Sequence, residues 1–258
     1  MALSKRATDR ITTELKKYIA ILQEAQNRDI SESDTVVIIN DMLSDVLGYK
    51  KYTEVTTEFS IRGTYVDLAV KVNEEVRFLV EGKAIGIVLK DNHVKQAMEY
   101  GAHKGIEWVI LTNGVIWRIY KILFRQPIDQ VLIYEINLLQ EGRKIAEFVE
   151  EFGLLAREEF SGANMNSYHQ HKQITGKYTV AAILQTPALI SAIKREIKKL
   201  APSARPDDEC LLKCITEDII KREVLESDEA KEAVAFIKKT ARANERKAAK
   251  AAAEKTEQ

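Results

Sequence analysis

The chain has 258 residues, 45% of them hydrophobic and 30% charged, which is enough apolar material for one sizeable core or one core plus a smaller satellite. Lys and Arg together number 39, as do Asp and Glu, so the formal net charge is zero. Neutrality argues against a protein that coats nucleic acid nonspecifically, while leaving room for a local basic groove. No apolar run approaches the ~18 residues of a membrane span, and Met1–Arg10 lacks the apolar middle of a signal peptide, so a cytoplasmic location without a membrane partner is expected.

Ile11, Leu15, Tyr18, Ile19 and Leu22 recur at three- and four-residue spacings and predict an amphipathic helix over Thr8–Glu24. After a polar break, Ser31 with Asp34 resembles a capping box with Asp in place of Glu. It opens a second helix through Val36, Ile39, Met42, Leu43, Val46 and Leu47, with Gly48 placed as its stop. The period then changes. Val55–Ile61 and Tyr65–Val72 read as strands joined by a turn at Arg62-Gly63, and Val76–Ala84 is an apolar run that fits a strand buried on both faces. A helix is expected over Asp91–Lys104. Strands follow at Trp108–Thr112 and Val115–Ile122, hinged on Asn113-Gly114, and a last strand at Val131–Ile136. Further on the signals are helical: Ala146–Leu155, Tyr178–Leu184, Leu189–Leu200, Cys210–Val224 and from Ala230 onward. From Thr240 the chain is Ala, Lys, Arg and Glu with almost no apolar face, a solvated helix or a disordered tail.

The order predicts an α/β fold: one mixed central sheet flanked by helices, with an all-helical C-terminal extension. The expected domains are 1–140, 141–239 and a charged tail at 240–258.

Chemistry concentrates in the third strand, Leu79-Val80-Glu81-Gly82-Lys83-Ala84. Side chains alternate across a strand, so Glu81 and Lys83 point to the same face. Asp67 interrupts the preceding strand between Val66 and Leu68, and a short hairpin would bring it beside Glu81. Two carboxylates meeting on a sheet repel unless a cation lies between them, and carboxylate oxygens are ligands that Mg²⁺ accepts. A metal there could polarise a phosphodiester and lower the pKa of a bound water, with Lys83 orienting that water or offsetting charge on the phosphate. Taken alone, E-x-K is a weak signal, because a solvent-facing pair worth under ~1 kcal/mol has the same letters. Its conjunction with Asp67, the apolar setting and the following helix carries the reading.

These residues, with Leu47-Gly48-Tyr49, Gly63-Thr64-Tyr65-Val66-Asp67-Leu68-Ala69, Gln96 with Tyr100, and Glu107–Arg118, make Asp34–Ile122 resemble the N-terminal domain of type I restriction enzyme R subunits, within the PD-(D/E)xK nuclease superfamily. The likeness covers roughly a third of the chain. It implies that Asp67 and Glu81 bind Mg²⁺ (or Mn²⁺ in its place), that Lys83 is the catalytic lysine, and that Gln96 lies near the scissile phosphate or the metal with Tyr100 toward DNA. It also implies a further acid from a preceding helix that completes the metal site, for which Glu32 is the candidate, with Asp34 and Asp41 behind it. Two departures stand out: Val66 replaces the Pro before the first acid, and Gly82 occupies a position that is usually bulky and apolar. Glycine weakens a strand interior, or marks close approach of another backbone.

No G-x-x-x-x-G-K-[ST] occurs, so no P-loop motor is expected on this chain. The expected partners are DNA, other restriction-system subunits, and a second copy in a homodimer. Lys194, Arg195, Lys198 and Lys199 form a basic stripe that is either a solvated face or a track for a phosphate backbone. His169 and His171 read as surface residues, and Trp108 and Trp117 as core. Cys210 and Cys214, four apart in a helical stretch, share a face; no further ligands complete a metal set, so they are expected to be buried packing thiols. The function expected is Mg²⁺-assisted cleavage of DNA in restriction or defence. The competing expectation is a degenerate nuclease fold kept as a DNA-binding or assembly module.

Overall fold

The computed structural model describes residues 3–61 and 64–256, so the turn expected at Arg62-Gly63 lies outside the described residues. Two compact units are present, Met1–Asn166 and Ser167–Gln258.

In the first unit, α1 (Lys5–Asn27) and α2 (Glu32–Asp45) precede β1 (Val55–Ile61), β2 (Thr64–Val72) and β3 (Glu75–Gly82). Ser31 caps α2 through its hydroxyl, which accepts from Asp34 N at 3.2 Å and donates to Asp34 Oδ2 at 2.9 Å. Gly48 follows the helix with a φ of +83°, the left-handed conformation a helix stop uses. A single 3₁₀ turn (Asp91–Val94) leads into α3 (Lys95–Lys104), followed by β4 (Trp108–Thr112), β5 (Ile116–Leu123), β6 (Asp129–Asn137) and α4 (Ile145–Gly153).

The six strands form one sheet in the order β1-β2-β3-β4-β5-β6. Only the β3–β4 pair is parallel, because α3 carries the chain back across the sheet between them; the other pairs are antiparallel. The mixed sheet with flanking helices is the fold the sequence predicts.

β3 is the centre of the core. Phe78, Leu79 and Val80 are fully buried. Leu79 joins Val109, Leu111, Val94, Ala97, Met98 and Tyr100 in one apolar cluster, while Phe78 packs on the rings of Tyr49 at 5.6 Å and Phe160 at 4.8 Å. Trp108 and Trp117 are core residues, at 4% and 0% exposure. Residues after α4 are tied back to this unit: Tyr49 donates to Leu155 O at 2.9 Å, and Arg157 forks onto Glu54 at 2.7–2.9 Å.

The second unit is helical. The helix α5 (Gly162–Thr175), not among the five helical stretches read from the sequence, runs across the division between the units, followed by α6 (Lys177–Leu184) and α7 (Pro187–Leu200). The single helix expected over Cys210–Val224 is instead three pieces: α8 (Asp208–Lys213), a π-helical stretch (Cys214–Ile219) and α9 (Arg222–Glu226). The chain turns at Ile220, whose extended backbone interrupts the helical path. α10 (Asp228–Thr256) is helical through the charged tail. Cys210, on α8, and Cys214, which opens the π-helical stretch, are free and exposed, which overturns the expectation of buried thiols. No described helix is long and apolar enough to cross a membrane.

Candidate functional site

Asp67 lies on β2 and Glu81 on β3. The antiparallel register pairs Leu68 with Val80, so one step further along each strand brings the two carboxylates side by side. Asp67 Oδ2 accepts a hydrogen bond from Gly82 N at 2.7 Å, which locks it against β3. Lys83 follows at the strand end, its backbone N held by Thr112 O of β4 at 2.8 Å. Lys83 Nζ donates to Glu81 Oε1 at 2.9 Å and reaches Glu32 Oε1 on the first turn of α2 at 3.4 Å. Three separate segments thus supply Asp67, Glu81, Lys83 and Glu32 to one place. Asp34 and Asp41 are engaged elsewhere, in the α2 cap and in an ion pair with Lys51.

Gly82 has a steric explanation. A Cβ there would come 2.7 Å from Val36 Cγ2 and 3.5 Å from Ile39 Cδ1, both on α2. The helix that presents Glu32 therefore packs against β3 where a bulky residue would keep it away. The same peptide N–H fixes Asp67.

The electrostatics are those of crowded carboxylates. Glu81 is 8% exposed. Burial pushes its carboxyl up, the hydrogen bond from Lys83 pulls it back, and the negative charge of Asp67 raises it again; the net direction is upward. Asp67 is also raised, by burial first, against the stabilising Gly82 N–H and Lys83. Burial works to lower the Lys83 pKa, but the hydrogen bond and charge of Glu81, with Glu32 and Asp67, outweigh it and hold the amine above its ordinary value. One carboxylate oxygen, Glu81 Oε2, is buried and has no hydrogen-bond partner. An unmade bond at a buried charged oxygen is costly, and a cation would satisfy it. Among the described residues no group of three or more His, Cys, Asp or Glu forms a ready-made cage. The available donor set is two carboxylates plus solvent, the sparse arrangement that suits Mg²⁺ with retained waters.

Gln96, on α3, donates from Nε2 to Tyr65 O at 2.9 Å, two residues before Asp67. Tyr100, one turn on, is 5% exposed; its ring belongs to the apolar cluster, and burial raises its phenol. Lys194, Arg195 and Lys198 lie on α7 of the second unit. Lys194 pairs with Asp208 at 2.5 Å, and Arg195 and Lys199 both meet Glu196, at 3.8 Å and 2.8 Å, so much of the stripe is neutralised locally.

Sequence reasoning passed over Asn113. It reads as a turn residue, yet it is 4% exposed and its side-chain amide donates to Ile85 O at 3.2 Å and Ile87 O at 3.0 Å, while Oδ1 accepts from Val115 N and Ile116 N. It ties the β4–β5 turn to the loop leaving Lys83. The turn signal masks this second role, because both follow from one short amide side chain.

No curated protein and no solved structure matches this chain. Residues 38–130, which contain Asp67, Glu81, Lys83 and Gln96 but not Glu32, match the family model of the type I restriction enzyme R protein N terminus (HSDR_N).

Proposed function

We propose that the chain is a divalent-metal-dependent endonuclease of the PD-(D/E)xK type that hydrolyses DNA phosphodiesters in a restriction or defence system. The observation that carries this reading is the pairing of Asp67 with Glu81, whose Oε2 is buried and unsatisfied, next to the Lys83 amine. Glu54, with about the same solvent exposure, has both carboxylate oxygens bonded. The match of residues 38–130 to a restriction-enzyme family supports the same reading.

Asp67 and Glu81 would hold Mg²⁺ or Mn²⁺, which supplies Lewis-acid polarisation of the phosphodiester and a more acidic bound water. Lys83, kept protonated by three surrounding carboxylates, offsets the negative charge that grows on the phosphoryl oxygens during attack. Glu32 restrains the amine from the α2 side. Gln96 fixes the backbone of β2 just before Asp67 and so acts on the first acid's placement.

Supercoiled plasmid incubated with purified protein and Mg²⁺ or Mn²⁺ tests the proposal. Nicking by the wild type that is absent in Asp67→Ala and Lys83→Ala supports it; an inert wild type across methylated and unmethylated plasmids overturns it. A second reading, a DNA-binding or assembly module without catalysis, is favoured by the Lys83–Glu81 ion pair, which neutralises half the acid pair without any metal. Calorimetric titration with Mn²⁺ separates the two, since that module need not bind the metal.

A further inference from the structure

The loop 84–90, which leaves Lys83 and ends at the turn before α3, has an arrangement that packing alone does not require. Ile85 and Leu89 are buried, at 1% and 3% exposure, whereas Ile87 and Val88 between them are 44% and 75% exposed. The backbone beneath this apolar tip is held at Ile85, Ile87 and Leu89. Ile87 N donates to Ala84 O at 2.9 Å, closing a turn. Asn113 Nδ2 donates to the carbonyls of Ile85 and Ile87, and Arg118 Nη1 donates to Leu89 O at 2.9 Å. Gly86 sits against the Asp29 carboxylate, which would have to move to admit a Cβ there. A loose loop would fold its aliphatic side chains inward; this one is fixed with them pointing out.

We infer that Ile87 and Val88 form a wedge that enters the groove of duplex DNA and separates adjacent base pairs next to the cleavage site. This rests on the nuclease reading for its substrate and deepens it. Val88 is five residues from Lys83, at most ~18 Å along the chain, so a duplex whose phosphate meets Lys83 has its bases within reach of the tip. Aliphatic side chains gain nothing from phosphates. What they can displace water from is the base stack, and inserted apolar side chains are a recurrent means of unstacking and bending a duplex. A bent or opened step would bring the scissile phosphate down onto Asp67 and Glu81, which lie recessed in the sheet.

The test uses the full chain, Mg²⁺ and a phosphorothioate duplex that resists cutting and carries 2-aminopurine at successive positions, with binding followed by anisotropy and unstacking by fluorescence. The wild type is expected to bind and to brighten 2-aminopurine at one step. The Ile87→Ser, Val88→Ser double variant is expected to lose the brightening and bind about tenfold or more weakly, with its Tm unchanged because both side chains are exposed. Ser in place of Phe124, an exposed residue elsewhere, should change neither readout. Binding without brightening by the wild type, equal brightening by the double variant, or no binding at all overturns the inference. Plasmid nicking reports separately on the nuclease reading: a duplex bound and brightened while plasmid stays uncut leaves the wedge standing and removes the nuclease.

Discussion

Two glutamates of the first unit are buried to the same degree and behave in opposite ways. Glu54 is 7% exposed and Glu81 is 8% exposed. Glu54 accepts a fork from Arg157 and a further bond from Lys50 N at 3.0 Å, and the Arg157 hydrogen bond holds its carboxyl below the ordinary range. Glu81 has one amine partner, a second carboxylate beside it and an oxygen with no partner, and its carboxyl is held above the ordinary range. Solvent exposure is alike, but burial is the leading influence on Glu81, whereas at Glu54 the Arg157 hydrogen bond outweighs it. Glu54 has both oxygens bonded and ties Arg157 into the fold, while Glu81 keeps an oxygen without a hydrogen-bond partner, as the proposed metal site requires.

The largest effect that would sharpen this contrast is on activity. Asp67→Ala and Lys83→Ala should each lower Mg²⁺-dependent nicking by at least about 10²-fold, the usual cost of removing a group that meets developing charge. Arg157→Ala, in protein that remains folded, should leave the nicking rate unchanged. If Arg157→Ala abolishes cutting in folded protein, the division into structural and functional carboxylates fails.

Stability should show the reverse ranking. Arg157→Ala strands a buried carboxylate, and with the arginine about a third exposed the loss is expected at about 1–3 kcal/mol by denaturant unfolding. Glu81→Gln should raise the metal-free Tm at neutral pH, because its raised carboxyl means that the folded state disfavours the charge. Phe78→Ala calibrates the scale for this unit: loss of a fully buried ring from the centre of β3 should cost about 3–5 kcal/mol.

The pH dependence of the two sites should have opposite sign. Glu54 is lowered on folding, so its contribution is present above its unfolded pKa and is lost as pH falls through the folded value. The stability gap between wild type and Arg157→Ala should therefore shrink toward acid. Asp67 and Glu81 are raised, so the stability linked to them is complete below their unfolded pKa and is lost as pH climbs through the folded values. The advantage of Glu81→Gln should accordingly grow from acid to neutral pH. Protons compete with a metal for the same oxygens, so the Tm rise produced by Mn²⁺ should be greater at pH 8 than at pH 5.5. A Tm rise independent of pH would place the metal elsewhere.

The smallest effect concerns Glu32. Its side chain is half exposed and reaches Lys83 only at 3.4 Å, so Glu32→Gln should slow nicking a few-fold at most, far less than Asp67→Ala. A loss as deep as that of Asp67→Ala would promote Glu32 from restraining the lysine to binding metal.

Much of this site could be read in the chain before any coordinates. The alternation that puts Glu81 and Lys83 on one face is a property of any strand, and the hairpin that delivers Asp67 follows from two apolar runs separated by a turn signal. Ser31 announced its helix by residue type. Gly82 could be noticed but not interpreted: only the approach of Val36 on α2 shows why that position is bare. Tyr100 shares a helix face with Gln96 as its spacing requires, but spacing does not say whether that face meets solvent or core, and the ring is buried. The cysteines failed for a related reason, since a thiol's usual preference for the interior yields when its helix face has nothing packed on it.

Local periodicity and residue type thus determined the strands, the helices of the first unit, the mixed sheet with its flanking helices, and which acids and amine fall at one sheet end, but not α5 or the break at Ile220. The tertiary structure decided what the periodicity does not encode: which carboxylate finds an arginine and which is left short, where Glu32 reaches, and that Asn113 clamps the loop beyond Lys83. Those outcomes depend on pairs of residues far apart in the chain, and only their meeting in space sets the charge balance that distinguishes Glu81 from Glu54.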